Sequence, residues 1–141
     1  MPIAVNEHLR RWLYVAMTLL GISLVVALTF SQQIWASYVQ AVWAPKLERE
    51  LGFHAATRDH PVFGSSTFVI TAVVAGGVFD RAGIRPGDVP TGYKHAFAAE
   101  FYNQLEHARG KATVLRCVRA PEREALPVEL QFTVRVPRGD A

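Results

Sequence analysis

Cysteine and charge are both scarce in this sequence. The 141 residues include one cysteine, Cys117, so an internal disulfide is excluded, and its alternating apolar surroundings are typical of a buried thiol. Charged residues make up 19% of the chain, and the formal net charge is +3. Basic residues are not interleaved with aromatic ones, so a nucleic-acid partner is not expected. The length also excludes a large multidomain enzyme.

Sequence motifs for catalysis, metals and nucleotides are missing as well. The chain contains no Gly-x-Ser-x-Gly, His-Glu-x-x-His, Gly-x-Gly-x-x-Gly or phosphate-binding glycine loop. No two histidines have the i, i+4 spacing of a helical metal site. The residues of the types that a catalytic triad needs share one polar loop without a strained nucleophile turn: Ser65, Ser66, His54 and Asp59. We therefore expect no enzyme activity, no catalytic residue, no metal and no cofactor.

The sequence does contain one long run without charge. Residues 12–45 include no Asp, Glu, Lys or Arg. As a helix rising about 1.5 Å per residue, the apolar part of this run crosses a hydrocarbon core of about 30 Å. The sequence therefore predicts a transmembrane helix over residues 12–34 that anchors the chain in a lipid bilayer. Aromatic residues typical of the two membrane interfaces flank it: Trp12 and Tyr14 at one end, and Trp35 and Tyr38 at the other.

The basic residues nearest this helix predict its orientation. Arg10 and Arg11 lie in the short tail, residues 1–11, and adjoin the apolar run more closely than the basic residues that follow it. We expect this tail in the cytoplasm and the C-terminal domain outside it, in the periplasm if the membrane is the inner membrane of a bacterium. A cleaved signal peptide, with the small residue Ala27 before the cut, is the alternative to a retained signal anchor.

Small side chains recur on one face of the predicted transmembrane helix. Ser23, Ala27 and Ser31 are four residues apart and would let another transmembrane helix approach closely, including one from a second copy of the chain. Helical spacing of apolar residues continues over residues 35–45, which we interpret as an amphipathic extension at the membrane interface. Pro45 is predicted to begin a new segment.

The part of the chain after the membrane segment, residues 46–136, has the pattern of a small α+β domain. A short helical segment over residues 46–51 is expected to stop at Gly52. An amphipathic helix is predicted over residues 98–109. The remaining elements are a helical turn at 79–82, a tight turn at 85–88, strands at 67–74, 113–118 and 128–136, and a tail at 137–141.

One stretch of this domain is more specific than the rest. Residues 74–88 have the sequence VAGGVFDRAGIRPGD, which resembles the central signature of bacterial PDZ domains. In that family a strand leads into a small helix ending in Ala-Gly-Leu, and a Pro-Gly-Asp turn opens the next strand. Upstream, Glu50-Leu51-Gly52-Phe53 is similar to the family's Gly-Leu-Gly-Phe loop. The resemblance covers residues 46–136 and implies a partly open β-barrel or sandwich with two helices.

The resemblance also implies a groove that binds a peptide. The loop would present backbone N–H groups to a partner's terminal carboxylate, and an exposed strand edge beginning at Phe53 would accept the partner's backbone. Leu51 and Phe53 would either line a pocket for the peptide's last side chain or belong to the core. The residues expected to bind the peptide are Leu51, Gly52, Phe53 and His54 of the loop, and Ala98, Tyr102 and Leu105 of the facing helix.

Two functions are compatible with this layout. The first is a single-pass, membrane-anchored interaction module, an adaptor that binds a partner protein or its C-terminal peptide at the membrane surface. The partner would be an envelope protein, a protease or a larger membrane complex. The second is a structural accessory subunit of such a complex, with the groove filled by the chain's own side chains. Tyr93 and Phe97 are the candidates for filling it.

Overall fold

The structure is a computed structural model, and it describes residues 6–93, 97–120 and 126–139. Within these ranges, the side chains of Ser65 and Phe97 are not described. The chain divides into two compact units, Met1–Ala36 and Ser37–Ala141. The first unit contains most of one long helix, and the second contains the remaining helices and all the described strands.

The long helix, α1, spans Glu7–Tyr38 and buries none of its side chains against the protein. Among the described residues it is the one helix long and apolar enough to cross a membrane. Its hydroxyl groups are satisfied by its own backbone, because Thr18 Oγ1 donates to the Tyr14 carbonyl and Thr29 Oγ1 to the Val25 carbonyl, each at 2.9 Å. Such bonds remove the cost of placing a hydroxyl in an apolar environment.

The predicted membrane segment, residues 12–34, lies inside α1, which extends beyond it at both ends. All four aromatic residues predicted at the membrane interfaces are exposed. Ser23, Ala27 and Ser31 are exposed too, and the Ser31 hydroxyl donates to the Leu28 carbonyl at 2.8 Å. The packing of this small-residue face against another helix stays a prediction.

A π-helical turn, Val39–Trp43, leads from α1 into a short second helix, α2, Ala44–Leu51. The Ala44 N–H donates to the carbonyl of Val39, five residues back. Pro45 lies in the first turn of α2, as predicted for the start of a new segment, because a residue there loses little by lacking an N–H. The predicted stop at Gly52 is confirmed, since Gly52 adopts the left-handed conformation with φ of 70°.

Two small antiparallel sheets follow. Strands β1, Phe53–His60, and β2, Gly64–Val73, form the first sheet, and β3, Val89–Pro90, β4, Ala112–Arg119, and β5, Val128–Arg135, form the second in the order β3-β4-β5. The sheets meet where the Ile70 N–H donates to the Asp88 carbonyl at 2.9 Å and the Gly87 N–H to the Ile70 carbonyl at 2.7 Å.

The predicted α+β class is confirmed, and the described strands form small antiparallel sheets and no closed barrel. The segment before β1 is a helix, and no described strand pairs with the outer edge of β1. Two more helices complete the domain: α3, Val78–Ala82, and α4, Phe97–His107, which begins one residue before the predicted 98–109 and ends two residues earlier.

The core of the second unit is built around Phe53. Its ring stacks on Phe79 of α3 with centroids 4.1 Å apart and meets the edge of Phe101 of α4 at 6.0 Å. All three rings are fully buried, and each aromatic side chain of this kind removes a large apolar area from water. The first residue of β1 thus joins the two helices that flank the sheets.

A buried ion pair fixes the turn predicted at residues 85–88. Asp88 is 1% exposed, and its carboxylate accepts hydrogen bonds from Arg119 Nε at 2.8 Å and Arg119 Nη2 at 2.7 Å. It also accepts the Arg85 N–H at 2.9 Å, which closes the turn. The guanidinium lies 5.6 Å from the ring centroid of Phe132. The turn before β3 is therefore tied to the end of β4 and to β5.

Removing this carboxylate is expected to destabilise the domain. We expect Asp88→Ala to lower the free energy of unfolding by about 2 to 3 kcal/mol. This loss is smaller than the loss from breaking a fully buried ion pair, because the side chain of Arg119 is partly exposed to water. The measurement is urea unfolding of the full chain in detergent micelles. Asp80→Ala, which removes only an exposed bond to the Gly76 N–H, is the control. An equal loss in both variants would contradict this role of Asp88.

Cys117 is buried in β4, as its alternating apolar surroundings predicted. Burial, with a smaller contribution from the negative charge of Asp88, raises the pKa of its thiol to about 12. The thiolate is the reactive form, so we expect the native chain to resist a disulfide reagent at pH 8 and to react once unfolded in urea.

Because an unfolded thiol ionises near pH 8.5, the stability contributed by the neutral thiol of Cys117 is lost as the pH rises from about 9 toward 12. Rapid labelling of the native chain would contradict this placement.

Candidate cleft between β1 and α4

A cleft of about 380 Å³ lies beside the outer edge of β1. Strand β1 forms one wall, and α4 faces it with Ala98 and Tyr102. The π-helical turn and α2 close one end. Most of its side chains are small or apolar, and among the described residues of the lining only Glu48 carries a formal charge. The full lining is Gln40, Ala44, Pro45, Glu48, Ala55, Ala56, Thr57, Phe68, Ala98 and Tyr102.

The backbone of β1 faces this cleft at alternate residues. The Ala55 N–H points into it, since it lies 3.4 Å from a carboxylate oxygen of Glu48. Ala55 is the register partner of Ile70, whose own N–H and carbonyl bond in the opposite direction, to Asp88 and Gly87. Alternation along an antiparallel pair therefore directs the N–H and carbonyl of Thr57 toward the cleft as well. The cleft has a strand edge along one side.

Glu48 closes the end of the cleft nearest the loop at residues 51–53. Its Oε1 accepts the Tyr102 hydroxyl at 2.6 Å, and its Oε2 lies 3.0 Å from His54 Nδ1. The side chain of Glu48 is 16% exposed, whereas that of His54 is 63% exposed. Burial and the hydrogen bond to Glu48 both raise the pKa of Tyr102, so its phenol keeps the proton that it donates. The carboxylate is thus held between α4 and the edge of β1.

The loop predicted to capture a carboxylate is occupied by the chain itself. The Gly52 N–H donates to the Glu48 carbonyl at 2.9 Å as the cap of α2, and the Gly52 carbonyl accepts the Val74 N–H at 2.8 Å. A Cβ at Gly52 would lie 3.2 Å from the Cα of Gly77, so the backbone is closely packed here. Leu51 and Phe53 are fully buried, which places both in the core and not in an open pocket.

The other predicted peptide-binding residues divide between the cleft and the core. Ala98 and Tyr102 line the cleft, and His54 lies exposed beside Glu48. Leu105 is fully buried and does not reach the cleft. Tyr93, a predicted filler, instead donates its hydroxyl to Gln104 and lines a separate cavity of about 210 Å³. The other predicted filler, Phe97, has its side chain outside the described part of the chain.

Sequence reasoning missed four lining residues that precede the loop and four that follow it, which are Ala55, Ala56, Thr57 and Phe68. Gln40, Ala44, Pro45 and Glu48 contribute one end of the cleft. The available signal was the helical spacing of Leu47 and Leu51, which are both fully buried. A helix with those two side chains inward has to present Glu48 at the border between its buried and exposed faces.

Polar contacts also hold α2 against α4. Arg109 Nη1 donates to Glu50 Oε2 at 2.7 Å, and Arg109 Nε lies 2.8 Å from Glu106 Oε2. The hydrogen bonds to Glu106 and Glu50 raise the pKa of Arg109 against the opposing effect of burial, so the guanidinium stays charged. Helix α2 is therefore joined to α4 on two sides, through Glu48 and through Glu50.

The predicted absence of metal and catalytic residues stays a prediction. In the ranges that the structure describes, no group of three or more His, Cys, Asp or Glu residues could hold a metal ion. His54 is paired with Glu48 and lies outside the lining of the cleft. Ser65, one candidate nucleophile of the polar loop, has its side chain outside the described residues.

The bond between Tyr102 and Glu48 is expected to stabilise the fold. We expect Tyr102→Phe to lower the free energy of unfolding by about 1 to 2 kcal/mol, because a partly buried carboxylate loses one of its donors while packing is retained. The measurement is urea unfolding in micelles, with Tyr14→Phe on the exposed face of α1 as the matched control. Unchanged stability of Tyr102→Phe would contradict the bond.

Comparison with known proteins identifies no relative of this chain. No protein-family model, no curated protein and no solved structure matches it. The resemblance of residues 74–88 to the PDZ signature therefore stays a prediction, and the function has to be argued from the cleft.

Proposed function

We propose that the chain is a membrane-anchored protein-interaction module and not an enzyme. It binds an extended segment of a partner protein in the cleft beside α4, where the segment adds a strand to the outer edge of β1. The observation that supports this proposal is the combination of an open cleft with a strand edge, residues 55–57, that no described strand pairs with and of which the Ala55 N–H alone has a partner, Glu48. Strand addition of this kind takes affinity from backbone hydrogen bonds and specificity from side-chain pockets.

The order of elements also supports the proposal. From β1 to β5 the chain has two strands, a short helix, a short strand, a longer helix and two strands, with α4 facing β1 across the cleft. This is the order that the resemblance to PDZ domains implies. In that arrangement the partner's backbone lies between the strand and the helix.

The anchor in this proposal is α1. The helix places the module at the surface of a lipid bilayer, in the inner membrane if the protein is bacterial, with the tail that precedes it in the cytoplasm and the domain on the other side. Arg10 and Arg11 near the start of α1 support this orientation. Helix α1 acts as a retained anchor, because its apolar run, residues 12–34, is longer than the apolar region of a usual cleaved signal peptide.

The second candidate is a structural accessory subunit of a larger membrane complex. The observation that favours it is Glu48, a residue of the chain itself that closes one end of the cleft. In this alternative the cleft stays empty, and the partner contacts α1 or the outer surface of the domain.

Blocking the strand edge distinguishes the two candidates. Thr57→Pro removes the N–H that an added strand would use, while Thr57 makes no ladder bond to β2 that the substitution would break. Thr57→Ala keeps the N–H and is the matched control. We expect partners that co-purify with the tagged full chain from its native membrane to fall at least tenfold in Thr57→Pro and to persist in Thr57→Ala. Equal recovery from both folded variants would contradict strand addition and favour the accessory subunit.

A further inference from the structure

The fixed position of Glu48 restricts what the cleft can bind. Its carboxylate lies between the Tyr102 hydroxyl and the Ala55 N–H, at the loop end of the cleft. That is where the resemblance to PDZ domains would place the carboxylate of a partner's C-terminus. A terminal carboxylate bound there would lie beside the carboxylate of Glu48. Two neighbouring negative charges repel each other, and the repulsion is stronger where water is partly excluded.

Helix α2 cannot move aside without opening the core. Leu47 and Leu51, on either side of Glu48 in sequence, are both fully buried. The ion pair of Glu50 with Arg109 at 2.7 Å holds the same helix to the end of α4. The backbone of Glu48 is therefore fixed at the cleft, and the Tyr102 hydroxyl and the Ala55 N–H hold its carboxylate there.

The chemistry of the cleft suits a basic side chain. A carboxylate has about four positions that accept hydrogen bonds. Three of these positions on Glu48 face Tyr102, Ala55 and His54, which leaves about one for a ligand. The lining also contains the small or apolar side chains of Ala44, Pro45 and Ala98. Small apolar walls accept the aliphatic stem of a lysine or arginine, and the carboxylate accepts its charged end.

We propose that the cleft binds an internal, extended segment that carries a lysine or arginine beside Glu48, and that it rejects a C-terminal carboxylate. This inference rests on the proposed function, since it names the class of segment that strand addition would recruit. A segment without a terminal charge continues past Glu48, and its basic side chain complements the negative charge of Glu48.

Peptide display on the purified full chain in detergent micelles tests the inference. Two libraries of random dodecapeptides are used, one with a free C-terminus and one flanked by linkers at both ends. We expect the linker-flanked library to yield ligands with a recurrent Lys or Arg. In a synthetic ligand, amidation of the C-terminus is expected to change Kd less than twofold, and replacement of the basic residue by Gln to weaken binding at least tenfold.

Substitutions of two glutamates provide the matched pair. Glu48→Gln keeps an oxygen that accepts the Tyr102 hydroxyl but removes the charge, so we expect at least tenfold weaker binding of the basic peptide and tighter binding of peptides with a free C-terminus. Glu129→Gln removes the same charge at an exposed residue of β5 outside the lining and should leave Kd within twofold. The Tm of each variant is measured as well, so that a change in Kd caused by lower thermal stability is recognised.

The outcomes separate this inference from the proposed function. Ligands that require a free C-terminus and are lost in Thr57→Pro would overturn the inference and leave the interaction module standing. Ligands that bind Glu48→Gln and wild type equally would overturn it as well. If neither library yields a ligand whose binding is lost in Thr57→Pro, the proposed function fails and the inference fails with it.

Discussion

The packing of α2 against β1 and α4 is the constraint on which the rest of the domain depends. Burying Leu47 and Leu51 stabilises the fold by roughly 1.5 to 3 kcal/mol for each side chain, more than any partly exposed polar contact of this helix is expected to contribute. Once both leucines point inward, the helical repeat places Glu48 at the border facing β1 and α4. Apolar burial thus decides where the charged group of the cleft lies.

The local elements were predictable because their signals are local. Glycine ended α2, and apolar alternation and helical spacing located β4, β5 and α4 to within about two residues. The grouping of strands into sheets is not a local property, because it depends on which distant segments pair. The segment before β1 is the helix α2, with Pro45 in its first turn, and no described strand pairs with the outer edge of β1.

The site was predicted only in part, for a related reason. Similarity to the Gly-Leu-Gly-Phe loop located Gly52 and the start of β1 correctly, but it carried no information on which groups use the loop's backbone donors. Because a helix precedes the loop, the Gly52 N–H caps that helix. Ala98 and Tyr102 reached the cleft, whereas Glu48 was missed because its role depends on a partner 54 residues away, Tyr102.

The edge of β1 is itself limited in length, and this sets the size of any added strand. Register shifts interrupt the ladder between His54 and Ala55 and between Arg58 and His60, and the exposed charges of Arg58 and Asp59 discourage pairing beyond the second shift. What remains regular is the short span 55–58, of which residues 55–57 border the cleft. At about 3.3 Å per residue these three residues present about 10 Å of edge, so a bound segment takes few backbone bonds. Selectivity must then come from side chains, and in the lining Glu48 is the group with the charge to supply it.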